Sequence, residues 1–175
     1  MDRTQRDSPL RGLLSLIDAM GGRLESRIRL QKAIYLLKMT GVEDFRGTTF
    51  KYHHYGPYSR SLSDILQDAI ASGFLEEKRV EYSDEQSKYT YELTQVGKEW
   101  LEENVDSADK HVLGLAPLFK DVHWRVMELA ATALFVEHDE ALTVRAEALE
   151  RAIKLKPACA DFRADAERLL GQIGL

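Results

Sequence analysis

Ser72-Gly73-Phe74-Leu75-Glu76, followed fifteen residues later by Tyr91-Glu92-Leu93-Thr94-Gln95-Val96-Gly97, decides the fold class of this chain. Gly73 ends a helix, because glycine takes the backbone turn that closes one without penalty. Phe74 and Leu75 then enter the core. Glu76–Tyr82 and Lys88–Leu93 read as two strands, with Ser83-Asp84-Glu85-Gln86 as a polar hairpin tip. Thr94 caps the helix that follows, which runs to about Val105 with Val96, Trp100 and Leu101 facing inward.

Working back towards the N-terminus, Ser59 or Ser61 caps a helix that runs to about Ser72. Leu62, Ile65, Leu66, Ala69 and Ile70 line one of its faces. Gly56-Pro57-Tyr58-Ser59 reads as a turn, and Phe50–His53 as a short strand. Ser26–Thr40 carries apolar residues at helical spacing and stops at Gly41. An earlier helix starts with Ser8 as N-cap and Pro9 at the first helical position, and ends at Gly21-Gly22. Helix, helix, helix, hairpin, helix is a winged-helix order. Ser107–Leu175 reads as all helical, with Pro117 and Pro157 as breaks. The expectation is a mainly α chain with a small β-hairpin (α+β). It has a winged-helix-like core over residues 1–106 and a helical extension over 107–175, packed as one compact unit.

Composition agrees with a globular protein. The chain has 175 residues, 44% hydrophobic and 30% charged. No apolar run approaches the roughly 20 residues needed to span a bilayer. Met1–Leu10 has no apolar core of a targeting signal, and one cysteine, Cys159, makes no internal disulfide. These features predict a cytoplasmic protein with no membrane attachment. The net charge is −5, unevenly spread: residues 23–60 carry +5 and the remainder −10. Arg23, Arg27, Arg29 and Lys32 are the centre of this basic segment. It is either an ordinary solvated helix face or a patch for an acidic partner.

Candidate chemistry is sparse. His53 and His54 are adjacent in a strand and point to opposite faces. His111, His123 and His138 have no companion at metal-ligand spacing. The acidic pairs, Asp64 and Asp68 among them, lack a phosphate-binding motif nearby. Ser15, Ser59 and Cys159 lack a recognisable base context. The expectation is therefore no catalytic residue, no metal and no cofactor. Tyr52-His53-His54-Tyr55-Gly56-Pro57-Tyr58-Ser59-Arg60 stands out instead. Tyrosine buries a large area while keeping a polar tip, and such residues favour interfaces. Tyr52, His54, Tyr55, Tyr58 and Arg60 are the candidate partner-binding residues. The other reading of the same cluster is an aromatic anchor for the turn, and the two are compatible.

Arg29-Leu30-Gln31-Lys32-Ala33-Ile34-Tyr35-Leu36-Leu37 resembles the "LQKLxYLL" helix of YwgA-like proteins, distant relatives of the SocA/Panacea antitoxin domain. Tyr52–Ser59 is similar to their "YxYGPYS" turn, and Ser61–Glu77 to the helix after it. Leu129–Leu134 and Lys154-Leu155-Lys156-Pro157 are also similar. The Tyr58-Ser59 end departs from the Gly-Pro-Val of many Panacea members. The resemblance implies a mostly helical, non-enzymatic regulatory module, antitoxin-like, that contacts a protein partner such as a toxin or a component of bacterial defence. The alternative is a winged-helix nucleic-acid-binding transcriptional regulator. Against it, Ser61–Ser72 carries Asp64 and Asp68 and no lysine or arginine, while phosphate contacts need cations. The C-terminal helices, with Trp124 and Phe135, either pack on the core or form a homodimer.

Overall fold

The computed structural model describes residues 3–83, 86–104 and 110–175. Helix α1 (Arg3–Ala19) is followed by a short strand β1 (Arg23–Glu25) and helix α2 (Arg27–Met39). A small hairpin, β2 (Lys51–His53) and β3 (Gly56–Tyr58), leads into α3 (Arg60–Ala71). The long strands β4 (Leu75–Ser83) and β5 (Gln86–Leu93) come next, then α4 (Gln95–Asn104) and α5 (Lys110–Leu115). Helices α6 (Trp124–Asp139), α7 (Arg145–Leu155) and α8 (Arg163–Gln172) complete the chain. The architecture is mainly α with small antiparallel sheets, as the hydrophobic spacing predicts. The hairpin tip Asp84-Glu85 and the expected division between residues 106 and 107 lie outside the described residues.

The stretch that opens the sequence reading is welded by one threonine. Thr94 Oγ1 donates to Gly73 O (2.6 Å) and accepts from Gly97 N (3.0 Å). It thus closes the end of α3 and the start of α4 together. Gly97 permits this close approach, because a Cβ there would lie 2.3 Å from Phe74 O. β4 and β5 pair antiparallel from Leu75↔Leu93 outward, and β1 adds to the other edge of β5 with Leu24 opposite Tyr91. The sheet order is β1-β5-β4. β1 has no counterpart in the sequence reading. Three residues are too few for a period-2 pattern to register.

Two local readings are corrected. α1 begins near Arg3 and contains Pro9, so Ser8 is not its N-cap. Ser8 Oγ instead donates to the buried Asp44 carboxylate (2.8 Å), which also pairs with Arg11. A tertiary partner has taken the hydroxyl that capping would use. Gly56-Pro57-Tyr58 is strand rather than turn, and the chain reverses at His54-Tyr55. α3 starts at Arg60 with Ser59 as its cap, one of the two caps expected.

α2 is buried from Leu30 through Leu37 and forms the centre of the molecule. A helix buried all round shows little amphipathic stripe. α6 crosses it, and α7 and α8 cover the outer side of α6. One continuous cluster of buried residues joins Leu13 and Ile17 of α1, Ile34 of α2, Leu129 of α6 and Leu169 of α8.

Candidate functional site

Two polar residues of α2, Gln31 and Lys32, sit inside the core where aliphatic side chains would be expected. Both reach the β2–β3 hairpin. The Gln31 amide pairs with both main-chain groups of Ser59. Its Oε1 accepts from Ser59 N (2.9 Å) and its Nε2 donates to Ser59 O (3.0 Å). This satisfies a buried peptide group at the end of β3, where none of the strand's own partners reaches. Lys32 Nζ donates to Pro57 O (2.7 Å). The side chain is 2% exposed, and burial lowers its pKa to about 7.

α6 supplies the opposite wall. Glu128 is buried and forms an ion pair with Lys156 (3.3 Å). Its other oxygen accepts from Cys159 Sγ (3.6 Å). Burial and the Glu128 carboxylate push the Cys159 thiol up to about 11, so it stays protonated. Lys156 Nζ also donates to His54 O at the hairpin turn. It lies 5.7 Å from the Tyr52 ring and 5.9 Å from the Tyr55 ring, within cation–π range. One ammonium therefore ties α6, the α7 end and the hairpin tip together. Gly56 lies against Thr132 at φ +83°, and a Cβ at this position would stand 2.6 Å from Thr132 Oγ1. That hydroxyl is buried with no hydrogen-bond partner among the described residues.

Above this polar floor the tip is aromatic. Tyr52 is 42% and Tyr55 49% exposed. Tyr52 rests on Phe135 (centroids 5.8 Å apart), which in turn packs on Tyr35. His54 meets Tyr55 edge-on. Phe135 is thus part of the hairpin's support. Tyr58 turns sideways, against His53 (5.3 Å), and its hydroxyl accepts from Ser63 Oγ. Arg60 is exposed at the start of α3 and pairs with Asp64 (3.5 Å). Of the five candidate partner-binding residues, Tyr52, His54 and Tyr55 share the tip, and Tyr58 and Arg60 flank it.

The candidate basic patch divides. Lys32 leaves it for the core, a correction to the sequence reading. At its helical position it faces Gly56 and Pro57, not solvent. Arg23, Arg27 and Arg29 remain on one side of the molecule. Arg27 donates to Tyr91 Oη (2.7 Å) and pairs with Glu77 (2.8 Å), while Arg23 pairs with Glu25. Arg29 donates to the carbonyls of Phe119 and Lys120 (both 3.0 Å).

Glu128, Thr132 and Cys159 were not singled out by sequence reasoning as a site. A signal existed for two of them: Glu128 and Thr132 stand four apart, on one face of an otherwise apolar helix. Among the described residues, no group of three or more His, Cys, Asp or Glu side chains is placed to share a metal ion.

No protein-family model matches the chain. It is similar to the uncharacterized protein YwgA of Bacillus subtilis (strain 168), 29% identical over 119 residues. Those residues make up 66% of this chain and 68% of that one.

Proposed function

We propose that the chain is a non-enzymatic, antitoxin-like interaction module that holds a protein partner, a toxin or defence-system component, at the β2–β3 tip. One observation carries this reading: Tyr52 and Tyr55 are half-exposed on a hairpin that is fixed from below by Lys32, Gln31, Glu128 and Lys156. Aromatic side chains already held in place lose little freedom on association, so more of their contact area is converted to affinity. The resemblance to Panacea-type antitoxins supplies the class of partner. Among the described residues no helix is long and apolar enough to cross a membrane, and we place the module in the cytoplasm.

The test is affinity purification from native cells, with the wild-type chain and the Tyr52→Ala/Tyr55→Ala variant as baits. A protein recovered in stoichiometric amount with the wild type and lost with the variant is the expected result. Equal recovery by both baits would overturn the reading.

The second reading, a winged-helix regulator on duplex DNA, draws support from connectivity. The order α1, β1, α2, α3, β4, β5, with β1 beside β5, is compatible with a winged helix, although the β2–β3 hairpin interrupts it between α2 and α3. The charges oppose it. Arg60 of α3 is paired with Asp64, and Lys78 of the wing with both Glu76 and Glu92. Cations already neutralised within the protein release few counterions from a phosphate backbone.

A further inference from the structure

We propose that a second site, on the side of the molecule that carries Arg23, Arg27 and Arg29, binds a nucleotide: an aromatic base joined to phosphate, free or within a single strand. Two adjoining cavities make this site. The first, about 380 Å³, has Tyr89 of β5 and Trp124 of α6 in its walls, with Arg27 and Arg29 between them. The second, about 620 Å³, shares Arg29 and adds Arg23 and Lys120. Both volumes fall in the range of small-ligand sites.

The chemistry of the two chambers differs in the way a nucleotide requires. Trp124 leaves 37% of its surface exposed at the first chamber. It is already stiffened, with His123 stacked beside it (5.9 Å) and the Arg125 guanidinium 5.1 Å from its ring. The Arg27 guanidinium lies 4.5 Å over the Tyr89 ring. Flat, fixed π-faces of this kind accept a base without discriminating among bases. Around the two chambers stand Arg23, Arg27, Arg29, Lys88 and Lys120; Arg23 is paired with Glu25 and Arg27 with Glu77, so Arg29 and Lys120 are the cations assigned to the phosphate.

Arg29 is the strongest pointer to an anion. It is half-buried, its hydrogen bonds go only to main-chain carbonyls, and burial lowers its pKa. Among the described residues no carboxylate forms an ion pair with it. Glu25 and Asp121 act on it only through space, and a phosphate would add a direct counter-charge in the bidentate geometry that guanidinium prefers. Arg27 and Ile28 also line a small cavity beside Tyr55 and Tyr58, but Arg29, Lys120 and Trp124 do not, and the proposal does not rest on the partner-binding reading.

The test measures binding of a labelled single strand of about twelve nucleotides by fluorescence anisotropy. AMP and ADP are titrated calorimetrically in parallel, with inorganic phosphate as control. The expected result is binding that weakens with added salt and falls about tenfold or more in Trp124→Ala and in Lys120→Glu. Both side chains are exposed enough for these variants to fold, which circular dichroism verifies. Binding of AMP or ADP alone assigns the site to a free nucleotide, and binding of the strand alone to single-stranded nucleic acid. Either outcome supports the site. Failure of every nucleotide ligand to bind, or undiminished binding in both variants, overturns it. So would a loss in Tyr52→Ala/Tyr55→Ala equal to that in Trp124→Ala, which would move the ligand to the hairpin.

Discussion

The two hairpins of this protein are held together by opposite means. β4–β5 is a long antiparallel ladder, eight register pairs from Leu75↔Leu93 to Ser83↔Gln86. Its cross-strand charges, such as Lys78 with Glu92 (2.6 Å), lie on the surface. β2–β3 has three register pairs. Alone, so short a ladder is marginal in water. Its stability comes from elsewhere: Gln31 and Lys32 of α2, Thr132 of α6, and Lys156 after α7. A long hairpin carries its own support in its sequence. A short one borrows support from residues far away, and those residues are polar groups buried where they are costly to disturb.

This contrast gives a graded set of tests. The largest effect belongs to Gly56→Ala. It forces an L side chain to φ +83° and drives a methyl to 2.6 Å from Thr132 Oγ1. Strain and overpacking together cost about 3 kcal/mol, read from urea unfolding. A loss under about 1 kcal/mol would show that the hairpin yields freely and is not pinned.

Gln31→Ala comes next. It leaves the buried Ser59 N–H without its Gln31 acceptor, while the carbonyl keeps Ser63, and destabilises by about 2 kcal/mol. The same substitution should leave the β4–β5 amides as protected from hydrogen exchange as in the wild type, relative to global stability.

The Lys32 amine predicts a pH dependence. Its folded pKa, lowered by burial to about 7, lies below the ordinary 10.5 of the unfolded chain. Between those values the unfolded chain holds a proton that the folded protein releases. Stability therefore rises with pH through this window and is lost as pH falls towards 7. The slope is roughly 1 kcal/mol per pH unit from pH 7 to 9. Above that, the raised Cys159 thiol begins to oppose it. Urea midpoints at pH 7 and pH 9 should differ in the wild type and converge in Lys32→Met. Equal slopes in both proteins would remove Lys32 as the cause.

The smallest effect is expected from Lys78→Ala. Its two carboxylate partners and the amine itself are solvated, and exposed pairs contribute little. No measurable change in Tm is expected. A loss comparable to that of Gln31→Ala would erase the distinction between the hairpins.

The same distinction explains what could be read from the sequence. Gly73 and Thr94 act on neighbours in the chain or across one hairpin, so their residue types announced their roles; the close approach at Gly97 became visible only in the structure. The apolar spacing of α2 and α3 placed those helices correctly. Ser8, Lys32 and Glu128 did not announce theirs, because each takes its partner from a separate element that no single hairpin brings back to it. Lys32 looked like one more cation in a basic run. Nothing local told it from Arg29, and only the arrival of Gly56 and Pro57 beside α2 decides that one is core and the other surface. The aromatic cluster was visible as a composition, but its division into an exposed Tyr52–Tyr55 tip and an inward-turned Tyr58 required the register of β2 on β3.

The bond from Lys156 to the His54 carbonyl spans 102 residues of chain. During synthesis the Thr94 weld can close as soon as residues 73 to 97 have left the ribosome, since its partners arrive almost together. The aromatic tip has to wait for more than half of the polypeptide to follow it. Contacts so distant in sequence form late in folding. The surface proposed to meet the partner is thus completed late, and a nascent chain can close the Thr94 junction well before it presents a finished hairpin tip.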